Sequence, residues 1–437
     1  MRRLALAILL CLAALPARAG IEIDEVTTPG GLSAWLVEDH SIPFVALEIR
    51  FRGGAALDPE DRRGVTNLMT GLLEEGAGDL DARGFSRATE ALAARFGYSA
   101  GDDTVSVSAQ FLTENRAESV ELLRDSLIAP RFAPDAIERV RGQVLSGLRS
   151  DETDPRAIAG RAARELIYGD HPYATDSAGT PESVAAITRD DIVAAHEAAL
   201  ARDRVHISAV GDITAEELAT LLDRLLGDLP ETGAPLPEAA DLDLPGGTKV
   251  VPFETPQSVA LFAQPGIDRD DPDFLTAYVL NHILGGGGFE GRLMTELREK
   301  RGLTYGVYSY LADKDAADLW MGSVSSANDR IGQSIEVIRA EWARLREEGV
   351  STEELNDAKT YLTGAFPLRF DGNAQIASIT AGMQMDGLSP DYVTTRNDRV
   401  EAITRDEINR VARERLDPDR LTFVVVGTPE KVEDTIN

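Results

Sequence analysis

The sequence predicts an α+β protein of two homologous domains, each a mainly antiparallel sheet packed against helices. Three observations predict it: a long gap-free internal repeat, a Pro/Gly-rich break between the copies, and strand and helix patterns falling in blocks. Residues 186–211 align without a gap on residues 402–427 at a constant offset of 216, and 11 of the 26 positions are identical. In each copy a threonine, Thr188 or Thr404, is placed to cap a helix with acidic residues in its first turn. A turn at Asp-Arg then leads into an apolar strand ending at Gly211 or Gly427. A 437-residue chain with 43% hydrophobic residues holds enough apolar material for two cores.

Between the copies, Leu226 to Gly247 is rich in Pro, Gly and acid and shows no periodicity, so 226–247 reads as a linker. The expected domains are 20–225 and 248–437. In the first, Phe44 to Phe51 and Thr104 to Phe111 alternate as strands, and Gly64 to Glu75 and Arg116 to Leu127 have helical spacing. In the second, Ser258 to Ala263 and Thr304 to Leu311 read as strands, and Asp273 to Leu284 and Arg330 to Glu348 as helices. Strict strand–helix alternation is lacking, which argues against a doubly wound sheet.

Residues 1–19 pair a basic start with an apolar run from Leu4 to Leu15 and a small-x-small ending at Ala19. That pattern predicts a cleaved signal peptide and an exported, periplasmic or secreted, protein. The run is shorter than the ~20 residues that span a bilayer, and no later stretch is expected to span one. The only cysteine, Cys11, falls inside this leader, so cysteine chemistry is excluded from the mature chain. A formal charge of -30 repels phosphate backbones and argues against nucleic-acid binding. The five histidines, His40, His171, His196, His206 and His282, include no i, i+4 pair. His40 and His171 read as loop residues, and the adjacent Glu74 and Glu75 as solvent-facing or capping groups.

The segment LGGGGFEGRLMTELREKRGLTYGVYS, Leu284 to Ser309, closely resembles the C-terminal domain signature of the pitrilysin/insulinase-type zinc peptidases. The resemblance extends from the first strand, Ala46 to Leu68, to the closing strand. It implies that the chain is half of a clam-shell peptidase chamber. Active members carry His-x-x-Glu-His on the first long helix and a further Glu roughly 75 residues on. Here the matching positions are Asn67, Thr70, Gly71 and Gly147, so no metal is expected in this chain.

The family's other catalytic equipment, an Arg and a Tyr seven residues apart that bind substrate and stabilise the oxyanion, matches Arg298 and Tyr305. By residue type alone, an Arg near a helix C-terminus and a Tyr in a strand read first as structural groups, and it is the motif around the pair that reverses this reading. Gly302 is expected to end the helix bearing Arg298, with Tyr305 opening the next strand and Tyr308 and Tyr310 packing on its opposite face. The tetraglycine Gly285 to Gly288 lacks a phosphate-loop context and reads as a flexible connection between two helices that allows tight backbone approach. Some members of the family are heterodimers of a zinc-bearing chain and a chain without the motif. The resemblance therefore implies a non-zinc subunit, inactive alone, whose partner is a zinc-bearing homologue and whose substrates are extended peptides. The alternative is a non-catalytic scaffold or a peptide-binding protein.

Overall fold

A computed structural model describes residues 21–436; the signal-peptide reading of 1–19 and Cys11 lie outside the described residues. The two main sheets are built from eleven strands. The first half contributes β1 (Asp24–Thr27), β2 (Ser33–Glu38), β3 (Phe44–Arg52), β4 (Arg95–Ala100), β5 (Thr104–Leu112) and β6 (Val205–Gly211). The second contributes β7 (Gly247–Pro252), β8 (Gln257–Pro265), β9 (Val307–Lys314), β10 (Ala317–Ala327) and β11 (Thr422–Gly427).

The strand orders are β1-β2-β6-β3-β5-β4 and β9-β10-β8-β11-β7. Leaving out β1, both sheets follow one topology, with the closing strand inserted beside the first and parallel to it. Every other neighbouring pair is antiparallel. The duplication in the sequence is thus a duplication of fold, and the mainly antiparallel α+β expectation holds. Both repeat threonines cap their helices through capping boxes, Thr188 with Asp191 and Thr404 with Glu407. Residues 227–246 between the halves contain no helix or strand.

The halves exchange a helix. The Pro155–Tyr168 helix of the first half lies on β8 and β11 of the second sheet, and the Asn373–Met385 helix of the second half lies on β3 and β6 of the first. Ala159 packs with Val259 and Val426, and Ala377 packs with Ala46 and Val210. This covering explains why the central strands read as near-continuous apolar runs: β11, TFVVVG, is buried along its whole length. Around the junction Arg164 meets Asp102 at 3.0 Å and Lys314 also pairs with Asp102. Although burial opposes it, these two cations hold the Asp102 carboxyl below its usual range.

Two local expectations need correction. The first helix covers only Val65–Thr70; at Gly71 the chain tightens into i→i+3 bonds from Leu72 to Met69 (3.0 Å) and from Leu73 to Thr70 (3.3 Å). Strand β9 starts at Val307, so Tyr305 stands in the bend before it. The glycine run makes the tight approach expected of it. A wide turn, His282–Gly286, prolongs the preceding helix into it, and a Cβ on Gly285 would lie 2.6 Å from Ser309 Oγ and 2.9 Å from Leu293 Cδ1. Glycine is required there by close packing against β9.

Candidate functional site

The short helix Val65–Thr70 begins at Gly64, whose φ of 89° and whose contact with the Ala178 carbonyl (2.5 Å from a Cβ) admit only glycine. Asp58 caps its start: the carboxylate accepts from Gly64 N at 2.8 Å, Thr66 N at 3.1 Å and Thr66 Oγ1 at 2.5 Å. Burial outweighs these bonds and pushes the Asp58 carboxyl up to about 6.

The four positions matching the family's zinc groups do not form a metal site. Thr70 is buried and its hydroxyl donates to the Asn67 carbonyl at 2.9 Å, so it offers neither base nor ligand. A Cβ on Gly71 would lie 3.1 Å from Val140 Cγ1, so a valine methyl occupies the direction in which a side chain would leave. Val140 and Gly147 are seven residues apart on the Pro134–Asp151 helix, hence on one face, and beyond Gly147 there is open space instead of a carboxylate. These residues do not fit zinc, which needs several N, S or carboxylate donors around one point. Among the described residues no group of three or more His, Cys, Asp or Glu could hold a metal ion.

The histidines have structural roles. His196 is buried and donates to the Leu127 carbonyl at 2.8 Å, while His171 Nδ1 accepts from Tyr173 N at 3.2 Å. His40 meets Asp212 at 2.7 Å, and His282 stacks on Tyr361 with centroids 5.0 Å apart. His206 lies under the exchanged helix, where burial first and then Arg52 and Arg50 push its imidazole down to about 4. Glu74 is exposed and Glu75 pairs with Arg139, as expected of surface carboxylates.

Arg298 and Tyr305 do come together. Both line a cleft of about 380 Å³ in the second half, to which the Asn67, Thr70, Gly71 and Gly147 region contributes nothing. Arg298 lies on a wide helical turn, Thr295–Glu299, that closes at Gly302 (φ 61°), whose N–H donates to the Arg298 carbonyl at 3.0 Å. Its guanidinium carbon is 4.6 Å from the Phe289 ring centroid, a stacked position that leaves the edge donors free. Neighbouring Lys300 and Arg301 pair with Glu296 at 2.6 and 2.5 Å, whereas Arg298 has no carboxylate partner among the described residues.

Tyr305 is 87% exposed, yet its backbone is held. Thr304 Oγ1 donates to the Ser325 carbonyl of β10 at 2.7 Å and accepts from Gly306 N at 3.1 Å, and Leu303 is buried. The phenol is thus presented from a pinned segment. Tyr308 and Tyr310 correct the packing expectation: they are 53% and 42% exposed and stack on each other at 6.1 Å.

Sequence reasoning missed Arg330. It lines the same cleft, donates to the Gly302 carbonyl at 3.2 Å, and gives the cleft a second guanidinium with no lining carboxylate. A signal was present: Arg330 is the N-cap of the Ile331–Glu348 helix, the end at which a cation is disfavoured.

Residues 34–180 match the insulinase (peptidase family M16) domain, and residues 186–362 match the domain described as peptidase M16 inactive domain. The non-peptidase homolog YmxG of Helicobacter pylori is 26% identical over 398 residues, covering 90% of this chain and 91% of that protein. The mitochondrial-processing peptidase subunit beta of Saccharomyces cerevisiae is 24% identical, covering 87% and 85%. The crystal structure of a peptidase M16 inactive domain from Pseudomonas fluorescens superimposes with a TM-score of 0.88 at 28% identity, covering 95% of this chain and all of that one.

Proposed function

This chain belongs to the M16 peptidase family of insulinase type, as a homologue without the family's zinc groups, and we propose that it is the non-zinc subunit of a two-chain peptidase. In this reading it lends Arg298 and Tyr305 to a homologous subunit that carries the zinc. One observation carries it: a guanidinium and a phenol converge on one acid-free cleft, and neither has an ion-pair or hydrogen-bond partner for its side chain among the described residues. Donors held free in this way are what a peptide carbonyl needs as it becomes an oxyanion. The bonds strengthen as charge grows, so they lower the barrier more than they tighten substrate binding.

Substrate would be an extended peptide adding a strand to a free sheet edge, of which β9, directly after Tyr305, is one. The yeast relative is itself named a subunit, which supports a two-chain arrangement. In this proposal the complex is periplasmic or secreted, a reading supported by the leader-like pattern of residues 1–19. No helix among the described residues is long and apolar enough to cross a membrane.

The test is co-expression with a zinc-bearing M16 homologue, followed by size exclusion and hydrolysis of a fluorogenic peptide. A closed, roughly equimolar complex that cleaves the peptide is expected, with no cleavage by this chain alone. Separate elution in the presence of peptide, or normal turnover by complexes lacking both Arg298 and Tyr305 side chains, would make the chain a scaffold.

A further inference from the structure

A second cavity, of about 410 Å³, lies among the Phe274–Asn281, Asn373–Met385 and Tyr392–Ala402 helices and shares no lining residue with the Arg298 cleft. Arg50 of β3 closes it from the first half, so its wall spans the exchanged-helix junction. Four arginines line it, Arg50, Arg269, Arg369 and Arg396, against one carboxylate, Asp386. Two of the four are neutralised: Arg50 by Glu48 at 3.1 Å, and Arg269 by Asp386 at 3.0 Å and Asp313 at 3.5 Å. Arg369 and Arg396 have no carboxylate within ion-pair distance among the described residues.

Arg396 is the informative one, because it is only 5% exposed. Its Nη1 donates to the Leu362 carbonyl at 2.8 Å and to Asn397 Oδ1 at 3.2 Å. Its guanidinium carbon lies 4.6 Å from the Phe366 centroid and 5.8 Å from that of Tyr278. Nε and Nη2 have no acceptor among the described residues. A cation taken out of water without a counter-charge is costly, and the fold keeps this one facing a cavity of ligand size. The rest of the wall is mixed, with Leu275, Phe366 and Ile379 on the apolar side and Gln375 and Ser378 among the polar groups.

We propose that this cavity binds a small amphipathic carboxylate, whose anionic head pairs with Arg396 and whose body lies against the side chains of Leu275, Phe366 and Ile379. The occupant bridges the two halves, because Arg50 and the Asn373–Met385 helix face it together.

Calorimetric titration of the purified full chain with octanoate and with its uncharged isostere octanamide tests this. Octanoate is expected to bind at one site, at least about tenfold tighter than octanamide, the worth of a charge-assisted hydrogen-bond pair. Arg396→Met, which keeps the stem and removes the charge, should abolish that preference. Ile379→Trp should block both probes by filling the cavity, and it decides the matter if the arginine variant does not fold. Arg298→Ala, in the other cleft, should bind octanoate normally. Equal affinity for the two probes, or unchanged octanoate binding in Ile379→Trp, overturns the proposal. A short apolar peptide with a free C-terminal carboxylate binding there more tightly than octanoate overturns the small-molecule assignment.

Discussion

The hydroxyls of Ser208 and Thr380 meet at 2.6 Å, fully buried, between β6 of the first half and the helix that the second half lays across it. Thr380 Oγ1 is also 2.7 Å from the Ile376 carbonyl, to which it donates, so the Ser208 hydroxyl donates to Thr380. Gln384 adds a bond from Nε2 to the Ile207 carbonyl at 2.8 Å. The exchanged helix is therefore fixed by direction-specific bonds as well as by apolar contact.

Thr380→Val removes the acceptor and strands a buried hydroxyl, so it should cost about 1–3 kcal/mol in urea unfolding. The double variant Ser208→Ala with Thr380→Val should recover most of that loss, because no orphaned polar group remains. Additive losses would show that the contact contributes little of its own.

In the reconstituted complex, Tyr305→Phe should lower turnover on the order of a hundredfold, about 2.7 kcal/mol, with KM nearly unchanged. Arg298→Ala should cost at least as much. Arg298→Lys should not restore full activity, since an ammonium cannot reproduce the planar fork. Steady-state peptide hydrolysis, with assembly checked by size exclusion, measures all three.

Arg330 should act on binding. Arg330→Gln should raise KM for acidic peptides by roughly fivefold, or about 1 kcal/mol, with little change for neutral ones, because an exposed cation in an acid-free cleft attracts charge weakly and in a salt-dependent way. Hydrolysis of matched acidic and neutral peptides at two ionic strengths reads this out.

Rebuilding the zinc groups at the four matching positions should fail in a specific manner. Asn67→His, Thr70→Glu, Gly71→His and Gly147→Glu together should bind zinc weakly, because the new side chain at 71 meets Val140 Cγ1 at 3.1 Å from its Cβ. Adding Val140→Ala should tighten zinc measurably, as read by competition with a chelator. Equal affinity with and without the valine would show that the site is blocked elsewhere.

His206 predicts acid sensitivity. Its folded-state imidazole is pushed down to about 4 from 6.5, so between those values the unfolded chain binds more protons and stability falls as pH falls. Asp58, pushed up to about 6 from 3.8, works in the opposite direction over 6 to 3.8. Comparing His206→Gln with the wild type isolates the histidine: the variant should lose less stability between pH 6.5 and 4 in urea titrations.

Duplication and capping were legible in the sequence because each is written in local residue types, and the loss of the zinc groups was legible through the resemblance to the family. Thr188 and Thr404 cap whatever lies around them, and Asn67 or Gly147 cannot ligate zinc as histidine or glutamate would. Helix length was legible only in part. The helical spacing of Gly64 to Glu75 continues past the point where Gly71, packed under Val140, lets the chain tighten. Tyr308 and Tyr310 misled for a related reason: alternation tells which side chains share a face, and only the neighbouring elements decide whether that face is covered.

The sequence by itself therefore determined the two-domain plan, and its resemblance to the family singled out Arg298 with Tyr305 and the four positions that lack the family's metal groups. Tertiary structure alone decided that the halves exchange helices, that Arg330 joins the pair from 25 residues beyond Tyr305, and that Arg396 is buried without a carboxylate. Those three are contacts between segments far apart in the chain. No local propensity encodes such contacts, because the free energy that selects them comes from covering the remaining face of each sheet once both have formed.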